Sequence, residues 1–153
     1  MSIPDVGDPA PDFTLAGTTG ELTLSKQLGE RAVLLVFYPG DETSVCTAQL
    51  CDYRDNLAVF AGLGVDVLAI NSQSLESHES FAKKHALPFP LLADEDRVVC
   101  KAYGASGLLG MTKRALVLIG PDGRVRWRRT DLPIFRRTAD ELKDVIEKLD
   151  LSS

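Results

Sequence analysis

Apolar and polar positions along this chain switch between two periods. Ala32 to Tyr38 (AVLLVFY) is a continuous apolar run, as expected for a strand covered on both faces. Ser44 to Ala61 then places apolar side chains at Leu50, Tyr53, Leu57, Phe60 and Ala61, which predicts one helix with a single buried stripe. Val65 to Ile70 reads as a second buried strand, Ser74 to His85 as a helix stopped before Pro88, Leu91 to Ala93 as a short strand, and Asp96 to Tyr103 as a helical turn or two. A third apolar run, Ala115 to Ile119, is followed by the turn Pro121-Asp122-Gly123. Beyond it Val125 and Trp127 alternate with Arg124, Arg126 and Arg128, a half-buried strand with its three arginines expected on one solvated face. Thr138 to Leu149 closes the pattern: Thr138 and Glu141 match a capping box, and Leu142, Val145, Ile146 and Leu149 form the stripe of a helix. Ahead of all this, Pro4, Pro9 and Pro11 mark an extended arm, and Phe13–Leu15 and Glu21–Leu24 flank a Gly/Thr turn that predicts a small hairpin.

Strands alternating with helices, then a hairpin and a closing helix, predict an α/β fold: a mixed central sheet flanked by helices, as one domain over residues 1–153. Thioredoxin-like and flavodoxin-like orders both fit. A chain of 153 residues buries roughly 70% of its unfolded surface and needs no disulfide staples, so its three cysteines are free for other work. The longest apolar run has seven residues, far below the roughly 20 of a membrane span. The first residues (MSIPDVGDPAPDF) hold no basic residue and no apolar stretch, so neither a secretory signal nor a transit peptide is expected, and a cytoplasmic location is. The net charge of −5 argues against nucleic acid as a partner, although six basic residues fall between Arg124 and Arg137; those could help dock an acidic reductant.

The cysteines carry the chemistry. Cys46 falls in the first turn of the helix starting near Ser44, where free amide donors and the positive end of the helix dipole favour an anion. A thiolate is stabilised in such a place, and Thr43 and Ser44 are both suited to cap the helix. A hydroxyl at Thr43 is also near enough to bond the sulfur. On position alone, Cys46 is either a reactive thiolate or a small packed side chain. Cys51 follows five residues later, a rise of about 7.5 Å and a divergence of about 140° along an intact helix. A disulfide needs Cα atoms within roughly 7 Å and converging Cβ directions, so the pair cannot bond while the helix holds. The two are then unrelated, or the first turns unwind to let them meet. Cys100 reads as a small buried side chain.

Tyr38-Pro39-x-x-x-Thr43-x-x-Cys46-Thr47 resembles the active-site segment of the peroxiredoxins, Pro-x-x-x-Thr/Ser-x-x-Cys. Cys51-x-Tyr53-Arg54-Asp55 is similar to the C-x-F/Y-R-D of the peroxiredoxin Q (bacterioferritin comigratory protein) subfamily. Gly7-Asp8-x-Ala10-Pro11-Asp12-Phe13, Phe89-Pro90-Leu91-Leu92-x-Asp94, Tyr103-Gly104 and Arg114 extend the resemblance along nearly the whole chain. It implies a thioredoxin-like fold and a peroxidatic Cys46 that becomes a sulfenic acid. Thr43 would hold thiolate and peroxide, Pro39 would shield the site from water, and Arg114 would supply a fixed positive charge. Cys51 would be the resolving cysteine of an atypical two-cysteine enzyme, closing an intramolecular disulfide with Cys46 that thioredoxin or a similar dithiol reduces. Substrates would be hydrogen peroxide and organic hydroperoxides, no cofactor or metal is implied, and the internal resolving cysteine fits a monomer. Two positions depart from the family pattern: Ser44-Val45 stands where Pro-Gly is usual, and Gln49 where a glutamate orients the arginine. An uncharged Gln49 is expected to hold Arg114 less firmly.

Other signals are weaker. A redox sensor whose disulfide remodels a surface would use the same segment, and a thioredoxin-like disulfide oxidoreductase would need C-x-x-C rather than a gap of four residues. His78 and His85, seven apart on one helix, are expected in solvated or capping roles. Gly62-Leu63-Gly64 precedes a strand, the wrong order for a dinucleotide site, and Asp94-Glu95-Asp96 reads as a plain turn and helix start.

Overall fold

A computed structural model describes residues 3–107, 111–131 and 137–149. The elements in chain order are β1 (Thr14–Leu15), β2 (Leu22–Thr23), α1 (Leu24–Gln27), β3 (Ala32–Phe37), α2 (Ser44–Asp55), α3 (Leu57–Gly62), β4 (Val65–Asn71), α4 (Leu75–His85), β5 (Leu91–Ala93), α5 (Val98–Ala102), β6 (Arg114–Ile119), β7 (Val125–Asp131) and α6 (Ala139–Lys148). β1 and β2 form the expected hairpin, with Thr14 opposite Thr23. The main sheet runs β5-β4-β3-β6-β7: β3, β4 and β5 are parallel to one another, while β6 and β7 are antiparallel to their neighbours. This is the mixed sheet that the alternating periods predict.

Both faces of the sheet are covered, which is why β3, residues 67–70 of β4 and residues 115–119 of β6 read as apolar runs. Ala32, Leu34, Val36 and Tyr38 enter one core with Leu50 and Tyr53 of α2, Phe60 of α3, Phe81 of α4 and Leu142 and Ile146 of α6. Val33, Leu35 and Phe37 face a second core with Phe13, Leu22, Leu24, Val99, Cys100 and Tyr103. Each fully buried Leu, Val or Phe contributes about 1.5–3 kcal/mol, so the two cores hold the sheet rigid beneath its loops.

Two expectations are corrected here. The helix predicted over Ser44–Ala61 is two helices. Asn56 leaves helical geometry (φ −113°, ψ 17°), and its side-chain amide donates to the Asp52 carbonyl at 2.9 Å, competing with the backbone ladder. The apolar stripe runs across the break, which is why the pattern concealed it. The single arginine face expected on β7 does not form either: a register shift opposite Leu118 and Ile119 puts Val125 in one core and Trp127 against the other, and the N-terminal arm bonds along the backbone of the strand. Gly7 N–H donates to Val125 O, Val125 N–H to Asp8 O, and Ala10 N–H to Gly123 O. Arg124 donates to Gly7 O at 2.9 Å, and half-buried Arg128 to Pro4 O and Tyr103 O.

The capping box of α6 forms as predicted: Thr138 Oγ1 accepts from Glu141 N–H at 3.2 Å, and the Glu141 carboxylate accepts from Thr138 N–H. Among the described residues no helix is long and apolar enough to cross a membrane, and no group of three or more His, Cys, Asp or Glu side chains could hold a metal ion.

Candidate active site

The chain leaves β3 at Phe37, which pairs with Ala115, so the loop Tyr38–Thr43 emerges beside the start of β6. Leu116 and Leu118 point to the α2 face of the sheet. Arg114, two residues before Leu116, is therefore on that same face at the strand's end. α2 begins directly over it. Thr43 is extended (φ −76°, ψ 147°) and caps the helix: its Oγ1 accepts from the Cys46 N–H at 3.3 Å, and its hydroxyl donates to the Gly40 carbonyl at 3.3 Å. Both bonds are to backbone, not to the sulfur, so the expected hydroxyl contact to Cys46 Sγ is replaced by a cap.

Cys46 is fully buried, on the face it shares with Gln49, Leu50 and Tyr53. It is not sealed in hydrocarbon. Arg114 Nη2 lies 3.1 Å from Sγ, and Nη1 donates to Gln49 Oε1. Gln49 Nε2 in turn donates to Tyr53 Oη at 3.1 Å, and Tyr53 Oη donates to the Arg137 carbonyl at 2.7 Å. Arg114 is only 2% exposed, and a guanidinium so deep is held only if its donors are used. Gln49 does hold Arg114: its neutral amide oxygen serves as the acceptor while its amino group donates to Tyr53. One arm of the arginine fork sets its orientation and the other brings its charge to the sulfur.

Cys51 is partly buried on the more polar side of α2, and Cys46, Cys51 and Cys100 are all free thiols. The lower half of α2 is fastened independently of its start. Asp52 Oδ2 accepts from Ala139 N–H at 2.7 Å, at the first turn of α6, and Tyr53 adds its bond to Arg137. Pro39 is half-buried and Thr43 exposed, on the rim of the site. Cys100 lies in the other core, 3.7 Å from Thr112 Oγ1; burial, then the Asp94 carboxylate, push its thiol up to about 12. Asp94 itself is fully buried and accepts from Val99 N–H and Cys100 N–H, more than the plain turn expected there.

The pattern of residues also missed a buried polar cluster next to the cysteine loop. His78, expected in a solvated or capping role, is fully buried with its Nδ1 2.8 Å from Asp41 Oδ2. Tyr38 Oη donates to Asp41 Oδ1 and Ser77 Oγ to Oδ2, each at 2.6 Å. Burial alone would raise the Asp41 carboxyl, but the bonds from His78, Ser77 and Tyr38 and the charge of His78 outweigh it and hold the group below its usual range. Burial, with the Asp41 charge, keeps the Tyr38 phenol well above its ordinary value, hence a donor. Thirty-seven residues separate Asp41 from His78, so no local spacing announces the pair.

A buried cysteine in the first turn of a helix, contacted by a buried arginine on a thioredoxin-like sheet, defines a thiol-redox centre. Comparison with known proteins agrees. Residues 6–128 match the AhpC/TSA family. The "Putative peroxiredoxin bcp" of Coxiella burnetii is 44% identical over 104 residues, 68% of this chain and 68% of that one. The "Peroxiredoxin Bcp" of Bacillus subtilis is 33% identical over 94% of this chain and 98% of its own. Among solved structures, "Peroxidoxin BcpB from Mycobacterium tuberculosis" superposes with a TM-score of 0.84 at 28% identity, covering 95% of this chain and 97% of that one. The chain belongs to the AhpC/TSA family and, by these relatives, to its peroxiredoxin Q/Bcp branch of thiol-dependent peroxidases.

Proposed function

We propose that the protein reduces hydrogen peroxide and organic hydroperoxides through a Cys46 sulfenic acid and a Cys46–Cys51 disulfide, recycled by a thioredoxin-type dithiol. The observation that carries this reading is Cys46 Sγ in the first turn of α2 with Arg114 Nη2 at 3.1 Å. The thiolate attacks the terminal oxygen of the hydroperoxide; the S–O bond forms as the O–O bond breaks, and water or an alcohol leaves after taking a proton. Arg114 faces both the sulfur and the oxygen on which charge grows, a placement that lowers the barrier without reorganisation. Cys46 has no solvent exposure, so peroxide reaches it past the rim formed by Pro39, Thr43 and Ser44, where Pro39 keeps water away from the sulfur. Thr43, tied to the Cys46 amide, holds the first turn in place for the approach.

Resolution requires motion. Cys46 and Cys51 both lie within the unbroken α2, where their side chains diverge by about 140°. Asp52 and Tyr53 remain fastened to the start of α6, so the segment free to unwind is 44–51, which ends at Cys51. There the Cys51 sulfur attacks the sulfenic acid, the S–S bond forms and water leaves. An external dithiol then takes up the disulfide by exchange. The internal partner cysteine supports action as a monomer and a single domain, and a cytoplasmic reductant pool would suit the cycle.

Peroxide consumption coupled to a thioredoxin system tests this. Cys46→Ser should be inactive, and Cys51→Ser should react once and stall as the sulfenic acid. Peroxide consumption by Cys46→Ser equal to that of the unaltered protein contradicts the assignment. Oxidation without efficient recycling would favour the redox-sensor reading, and insulin reduction would favour a disulfide oxidoreductase.

A further inference from the structure

The polar cluster around Asp41 is buried, costly and unused by the cycle above. The Asp41 side chain is 1% exposed, and its carboxylate accepts from Tyr38 Oη, Ser77 Oγ and His78 Nδ1. An ionised carboxylate only accepts, so His78 donates to it from Nδ1, and its buried Nε2 has no hydrogen-bond partner among the described residues. The backbone is pinned too: Asp41 N–H donates to Gln73 Oε1. Gly40 permits that approach, since a Cβ there would stand 3.0 Å from the same oxygen. Apolar side chains would fill such a core as well without the desolvation penalty. What the polar set adds is a fixed place for one loop residue.

That residue stands five positions before Cys46 and two before its cap. Between them Glu42 is left-handed (φ 65°), a conformation disfavoured for any residue with a Cβ. Strain of this kind persists only where the flanking structure over-determines it. Here Asp41 is held on one side, by α4 and the end of β3, and Thr43 on the other, by the α2 cap.

We propose that Asp41, held by Tyr38, Ser77 and His78, is a positioning residue for peroxide reduction, locking the Pro39–Thr43 loop so that the first turn of α2 presents Cys46 correctly, with Glu42 as the hinge when that turn unwinds. The inference deepens the peroxidase reading and rests on it.

The test compares two reactions of Cys46 in the folded protein: the stopped-flow rate with hydrogen peroxide, which needs the aligned site, and alkylation by iodoacetamide, which does not. Asp41→Asn slows the peroxide reaction by about tenfold or more, in line with the sensitivity of rates to small misplacements, while alkylation stays within about threefold. His78→Asn, which keeps an N–H near the Nδ1 position, stays within about threefold of the unaltered protein in both reactions, whereas His78→Leu behaves as Asp41→Asn. Ser77→Ala removes one bond and slows the peroxide reaction less, with the same split; it decides the matter if Asp41→Asn does not fold. The proposal is overturned if folded Asp41→Asn keeps the full peroxide rate, if both reactions fall in proportion, or if His78→Asn is as slow as His78→Leu. With Asp41→Asn unfolded, a Ser77→Ala variant at full rate also overturns it. An unaltered protein that fails to consume peroxide at all defeats the peroxidase reading instead.

Discussion

Replacing Gln49 by leucine isolates the arm that holds Arg114. The side chain is fully buried and close to leucine in volume, so the substitution leaves little cavity and removes two hydrogen bonds. Arg114 Nη1 loses its glutamine acceptor, a buried charged donor whose lost bond costs about 2–3 kcal/mol. Tyr53 Oη loses a donor but keeps its bond to the Arg137 carbonyl, a loss of about 0.5–1 kcal/mol. Added apolar burial offsets about 1 kcal/mol of this, leaving a net destabilisation of about 2 kcal/mol. For a chain of this length that lowers Tm by about 4–8 °C. The rate effect is separate: with its orienting partner gone the guanidinium drifts from Sγ, and the peroxide reaction slows by about tenfold or more. Gln49→Glu keeps an acceptor for Nη1 and serves as the control for arginine placement. Thermal unfolding followed by circular dichroism and stopped-flow peroxide kinetics measure the two effects. A Gln49→Leu protein with unchanged Tm and unchanged rate refutes the claim that Gln49 holds Arg114.

Three further outcomes follow from the same geometry. On oxidation, amide exchange over residues 44–51 rises by about tenfold or more while Asp52–Asp55 and β3 stay protected; equal exchange throughout α2 in both states contradicts partial unwinding. Cys100, raised from 9.0 to about 12, contributes stability that is complete below pH 9.0 and lost as pH rises toward 12; the Tm difference between Cys100→Ala and the unaltered protein should therefore shift in the variant's favour above pH 9, and a constant difference refutes it. Asp41, depressed below 3.8, contributes stability present above that value and lost as pH falls through its lower folded pKa; the stability advantage over Asp41→Asn in chemical denaturation should shrink in acid, and an advantage that grows instead is the opposing result.

The chain displays its sheet openly because β3, β4 and β6 are buried on both faces, and a strand in that position has no polar alternation to obscure it. The α6 start is equally legible, since a capping box is a local contact between residues three apart. Cys46 is legible for a similar reason: its helix position, its cap at Thr43 and its spacing to Cys51 are all local. Arg114 came only from a family resemblance, and the register of β6 against β3 explains its placement. What stayed hidden is what tertiary contact decides. The Asn56 break interrupts a stripe that remains apolar across it, and Arg128 looks solvated until the N-terminal arm is laid over β7. The bond of Gln49 to Arg114 joins α2 to β6 across 65 residues of chain. The Asp41–His78 pair joins a loop to a helix far along the chain.

Treating the reduced protein with one equivalent of hydrogen peroxide, quenching with an alkylating agent and mapping disulfides by peptide mass tests the cycle most directly. The expected product is one intramolecular Cys46–Cys51 bond with Cys100 recovered as the free thiol. A bond from Cys46 to Cys100, a cross-link between two chains, or a Cys51 that remains alkylatable after Cys46 has been oxidised would contradict it.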